Sequence, residues 1–144
     1  MTDKEPVISP EADHSRVAPT AYGVAYLRTF SDIPLTTEVF DALEGHMRDS
    51  GQTYVPGTAS KDHLAPQLEA RYKLVDNLVA ASGLTQVIEL ASGIAPRGMS
   101  TAMARPEISY VELDLPGVMG EKEAIFSRLQ MPRPGNLHLV AVTR

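Results

Sequence analysis

The sequence predicts an α/β protein in which N-terminal helices precede a strand–helix–strand–helix–strand run forming a parallel sheet. Three observations point there. Apolar runs at Thr85–Leu90, Ser109–Leu115 and Leu137–Val142 are short enough for strands. The stretches between them have room for crossover helices, and strands alternating with helices at this spacing imply parallel pairing with right-handed connections. Finally, Val87–Gly98, VIELASGIAPRG, takes an apolar run through an acid and a small-residue turn into a proline-started helix.

Residues 1–19 are polar and proline-containing and read as a flexible lead-in. From Thr20 a helix is expected, because Tyr22, Tyr26 and Phe30 recur every four residues with Leu27 beside them. Ser31, Asp32 and Pro34 interrupt it. Thr36 or Thr37 is expected to cap a second helix with Val39, Phe40, Leu43 and Met47 on its apolar face and Gly51 as its stop. Gly51–Ser60 reads as a loop. A third helix is expected from near Pro66 to Ser82, ended by Gly83, with an apolar stripe of Leu68, Tyr72, Val75, Leu78 and Val79.

Arg71 falls between the directions of Leu68 and Leu78 on that helix. A guanidinium aimed at a core needs an anion or carries a large desolvation cost, so Arg71 is expected to reach the rim or to pair with an internal carboxylate such as Glu89. After the strand at Thr85–Leu90 come a helix over Pro96–Ala104, the strand Ser109–Leu115 and an amphipathic helix over Val118–Leu129 with Ile125 and Phe126 inward. The turn PRPGN leads into the last strand. The chain thus divides into the lead-in 1–19, a helical region 20–83 and a sheet region 84–144.

At 144 residues the chain has room for one domain with a modest core. Hydrophobic content of 43% and charged content of 22% are those of a folded protein. A net charge of −5 without a Lys/Arg cluster argues against nucleic-acid partners. With no cysteine there is no disulfide, thiolate metal site or cysteine nucleophile. The N-terminus lacks the apolar core of a signal peptide and no run is long enough to span a membrane, so a cytoplasmic protein with no membrane partner is expected.

In open parallel sheets ligands sit beyond the carboxyl ends of strands. There the sequence offers Glu89, the turn Ala91-Ser92-Gly93 and, about two dozen residues later, Asp114, close to the offset at which an acid grips ribose hydroxyls. Glu112 alternates with Asp114, so either acid is a candidate, and Asp114 lies nearer the strand end. Gly98 is followed by Met99, which excludes a P-loop, and Ala91, Gly93 and Gly98 do not supply the glycines of a dinucleotide fingerprint. An acid at the end of the first strand repels pyrophosphate but suits an amino group and a sulfonium cation, which points to S-adenosyl-L-methionine. His14, His46, His63 and His138 are scattered without metal-ligand spacing, and no catalytic residue or metal site is assigned. Tyr22 and Tyr26 are candidates for closing an acceptor pocket, although helix packing alone accounts for them.

LAPQLEARYKLVDNL, VIELASGIAPRG, YVELDLPGVMGEK and AYLRTFSDIP together resemble the leucine carboxyl methyltransferase family, in particular its bacterial branch similar to polyketide O-methyltransferases. The resemblance spans about Ala21 to Val142. It implies the first half of a Rossmann-like class I methyltransferase sheet, with S-adenosyl-L-methionine as cofactor and a small-molecule carboxyl or hydroxyl as methyl acceptor. It also implies that Arg71 binds the cofactor's methionine carboxylate, that Glu89 is the acid opening the cofactor motif, that Gly93 is the turn glycine and that Asp114 binds ribose. Ala91 stands where many relatives have the first turn glycine, and Ala95 replaces a frequently polar residue. Relatives continue through further strands, so this chain is expected to be a fragment. A nucleotide-binding oxidoreductase fragment and a non-catalytic interaction module, whose last strand presents an unpaired apolar edge, are the competing expectations.

Overall fold

The computed structural model describes residues 18–57 and 61–143. The expected lead-in lies outside them except for its last two positions, which open the first helix, and His14 lies outside them as well. The described residues form α1 (Ala18–Arg28), α2 (Thr36–Asp49), α3 (Lys61–Ser82), β1 (Gln86–Leu90), α4 (Arg97–Ala104), β2 (Ser109–Asp114), α5 (Pro116–Arg128) and β3 (Leu137–Ala141). This is an α/β arrangement with five helices and a three-stranded sheet. Strand order is β1-β2-β3, all parallel, with Glu89 beside Glu112 and Glu112 beside Leu139. None of the described helices is long and apolar enough to cross a membrane.

One face of the sheet is covered. Tyr110 and Glu112 of β2 point into it and are buried beneath α4 and α5, as is Leu137 of β3. Val39, Phe40 and Leu43 of α2, Met99 of α4 and Ile125 and Phe126 of α5 complete this core with Tyr22 of α1. The opposite face carries Ile88 and Leu90 of β1, 66% and 73% exposed, with Val140 of β3 in line with Leu90 through Leu113. Parallel sheets ordinarily bury both faces. Here the second face and the outer edge of β1 have no cover among the described residues. The unpaired edge expected at the last strand is therefore present, and the more exposed apolar side chains sit at the opposite edge, on β1.

The helices depart from expectation in three places. Neither Thr36 nor Thr37 caps α2; Leu35 precedes it in the left-handed region (φ 66°), turning the Thr36 hydroxyl back to donate to the Ile33 carbonyl at 2.9 Å. Gly51 does stop it, with φ 73° and the Gln52 amide donating to the Met47 carbonyl at 2.8 Å. Next, α3 begins at Lys61, placing Pro66 inside the helix. The lost hydrogen bond leaves the Asp62 carbonyl without its helical donor, and Asp62 is exposed, so water can serve it. Finally, of the stripe on α3 only Tyr72 is buried, with Ala65. Leu78 is 62% exposed and Val75 41%: α3 packs mainly against α1, and its second half meets α4 through Asp76 on another side.

Candidate functional site

The C-terminal ends of β1 and β2 are joined by one carboxylate. β1 leaves the sheet at Leu90 and the chain turns through Ala91 and Gly93, both with φ 55°. This left-handed conformation costs an L-residue about 1–2 kcal/mol and a glycine almost nothing, so Ala91 is held there by its surroundings. The Gly93 amide donates to Asp114 Oδ2 at 2.8 Å, and the Leu115 amide donates to Oδ1 at 2.8 Å. A carboxylate has about four acceptor positions. Two are filled by amides, and the half-buried group keeps the others for hydroxyl donors. A Cβ built at Gly93 meets nothing within 4 Å, so open space lies over the turn.

Glu112, the alternative acid, is committed elsewhere. It is fully buried, ion-paired with Lys122 of α5 and accepting the Gly98 amide on Oε1 at 3.0 Å. Burial pushes the Glu112 carboxyl up and the Lys122 ammonium down, and each charge opposes the other's shift.

Glu89 lies on the covered side of β1. It accepts from Arg97 Nη1 at 2.5 Å and from the Tyr110 hydroxyl at 2.9 Å. Arg97 also donates through Nε to Asp76 at 2.7 Å, with its guanidinium 4.0 Å from the Tyr72 ring centre. The internal carboxylate offered to Arg71 is thus taken by Arg97. Arg71 is exposed and has no ion pair among the described residues.

A cleft of about 320 Å³ brings Arg71 together with Arg28, Tyr72 and Arg97, closed by Val24, Leu68 and Val75. Arg97 is neutralised by its two carboxylates. Arg28 is not: its Nε is buried without a hydrogen-bond partner among the described residues. The Tyr72 hydroxyl beside it is in the same condition, on a side chain 3% exposed. Burial pushes the Arg28 guanidinium below the usual arginine range, and the charges of Arg97 and Arg71 act in the same sense. A half-buried cation without a countercharge, on the same cleft as an unmet donor, is suited to meeting an anion.

A larger cleft of about 640 Å³ lies between α1 and the loop after α2, walled by Tyr22, Tyr26, Met47 and Tyr54 and lined by no charged side chain. Tyr22 is also a core residue, and its hydroxyl donates to Glu121 in α5. The same helix face therefore walls a cleft and packs in the core. His46, His63 and His138 lie on separate elements, and no cluster able to hold a metal exists among the described residues.

The structure thus joins Gly93 and Asp114 directly. It places Glu89 one hydrogen bond away from Arg97, and Arg97 in the same cleft as Arg71. Sequence reading missed Arg28, Tyr72 and Arg97. Arg97 carried a usable signal, a lone cation at the start of the helix after an acid-ended strand; Arg28 carried none, since its burial depends on how α1 meets α3. Comparison with protein-family models and with curated proteins finds no match to this chain.

Proposed function

We propose that this chain holds the methionine and ribose portions of S-adenosyl-L-methionine and belongs to an O-methyltransferase acting on a carboxyl or hydroxyl of a small molecule. The observation that carries the reading is the arginine cleft, where Arg28 Nε and the Tyr72 hydroxyl lack partners beside Arg71. A carboxylate entering the cleft would supply the anion that Arg71 and Arg28 lack, since charge-assisted bonds to a guanidinium are among the strongest in a protein. Nearby, Asp114 has acceptor positions for a ribose diol, with open space over Gly93. The residues present therefore fit the cofactor: Arg28 and Arg71, with Tyr72 beside them, would hold its carboxylate and Asp114 its ribose, while Glu89 holds Arg97 in the cleft wall. When bound, the cofactor supplies a methyl group activated on sulfonium.

The protein's part in such a displacement is mainly to hold donor and acceptor in line. The uncharged cleft walled by Tyr22, Tyr26 and Tyr54 is the place we assign to the acceptor. No side chain is assigned as a general base, and a carboxylate acceptor needs none. The family resemblance and the expected cytoplasmic location belong to this same proposal. One observation favours a second reading, an interaction module: the uncovered sheet face bearing Ile88, Leu90 and Val140.

Titration calorimetry of the folded chain with S-adenosylhomocysteine tests the proposal. Saturable binding that Asp114→Ala weakens supports it. Saturable NADH binding without affinity for S-adenosylhomocysteine replaces it with an oxidoreductase reading, and binding of neither leaves the interaction module.

A further inference from the structure

We propose that Lys122 is a positioning residue for the cofactor turn: its buried ammonium holds Glu112 and Ser92 and so sets the geometry in which Gly93 and Asp114 are presented. The inference rests on the cofactor reading above. Lys122 and Glu112 are both 0% exposed, on an interior surface where two apolar side chains would pack without any desolvation cost. What the charged pair adds is geometry. Lys122 projects from α5 to Glu112 of β2 and donates to Ser92 Oγ at 3.4 Å in the turn after β1. Glu112 in turn takes the Gly98 amide at 3.0 Å in the first turn of α4. One ammonium therefore ties α5 to the side chains of Ser92 and Glu112 and, through Glu112, to the Gly98 amide, around the turn that the Gly93–Asp114 hydrogen bond closes.

The carboxylate sits in space that only a glycine leaves: a Cβ at Gly98 would come within 2.8 Å of Glu112 Cδ and 2.9 Å of Leu137 Cδ1. The other carboxylates of this region have partners of their own. Asp114 is held by two amides, Glu89 by Arg97 and Tyr110, and Glu121 by Tyr22.

The test compares the wild-type chain with Lys122→Met/Glu112→Gln, which removes both charges and keeps an acceptor for the Gly98 amide. Two readouts are needed. Amide exchange at Gly93 and Gly98 is expected to quicken about tenfold in the double variant, beyond any change that its global stability accounts for. Binding of S-adenosylhomocysteine is compared with that of its 2′-deoxy analogue. The wild type is expected to favour the full ribose by about tenfold, the worth of one hydrogen bond to a carboxylate, and the double variant to lose that preference. A merely structural role would weaken both ligands alike.

Retention of the preference with unchanged exchange overturns the inference and leaves the cofactor reading intact. Absence of wild-type binding overturns the cofactor reading and this inference with it. If the double variant does not fold, Ser92→Ala, which removes only the contact with the turn, is expected to move both readouts in the same direction, and failure to move either is again decisive against the proposal.

Discussion

Replacing Lys122 alone by methionine should be among the most damaging single changes in this chain. Both members of the pair are fully buried, and Glu112 would be left without its countercharge, with only the Gly98 amide beside it. Breaking a buried ion pair by removing one partner costs about 3–5 kcal/mol, against a total stability for a domain of about 5–15 kcal/mol. At about 2–4 °C per kcal/mol for a chain of this size, the midpoint of thermal unfolding should fall by about 10 °C. Adding Glu112→Gln removes the stranded charge while preserving an acceptor for Gly98, so the double variant should regain most of the loss. Urea and thermal unfolding followed by circular dichroism, arranged as a double-mutant cycle, measure the coupling. The reasoning is refuted if Lys122→Met lies within about 1 kcal/mol of the wild type, or if the double variant is no more stable than that single variant.

Ala91→Gly should stabilise the chain by up to about 1 kcal/mol: it relieves a left-handed alanine, and the greater freedom of glycine in the unfolded chain offsets part of the gain. A lower midpoint in chemical denaturation would contradict this. At acid pH, the hydrogen bond and charge of Arg128 hold the Asp49 carboxyl below its ordinary range, so the fold binds fewer protons there than the unfolded chain. That contribution is present above the ordinary carboxylate range and lost as pH falls through the depressed folded value. Melting temperatures of wild type and Asp49→Asn should therefore converge as the solution is acidified, and parallel curves would exclude the pair as a contributor.

The strand–turn–helix order was legible because each strand is a short apolar run ended by an acid or by small residues, and the parallel sheet with β2 in the middle follows from that order. Gly93 and Asp114 were legible for the same reason: the ends of adjacent parallel strands meet whatever the rest of the chain does. The stripe on α3 misled, because periodicity reports which face is apolar and not whether anything covers it; Val75 and Leu78 are periodic and exposed. Arg71 reaches the rim, one of the two positions its spacing left open. It borders a cleft, and the internal partner imagined for it, Glu89, belongs to Arg97. Contacts such as that of Arg28 with Tyr72, or of Lys122 with Ser92 thirty residues away, depend on helix placement, which local spacing does not encode.

The most direct test of the cofactor site is a chemical cycle across the arginine cleft. S-adenosylhomocysteine and its analogue lacking the carboxylate are titrated calorimetrically into the wild-type chain and into Arg28→Met, with circular dichroism confirming that both are folded. If Arg28 meets the carboxylate, the substitution should weaken S-adenosylhomocysteine by about 1.5–3 kcal/mol, roughly tenfold to a hundredfold, and leave the decarboxylated analogue unchanged. Equal weakening of the two ligands, or no wild-type preference for the carboxylate, would contradict the assignment of this cleft to the cofactor.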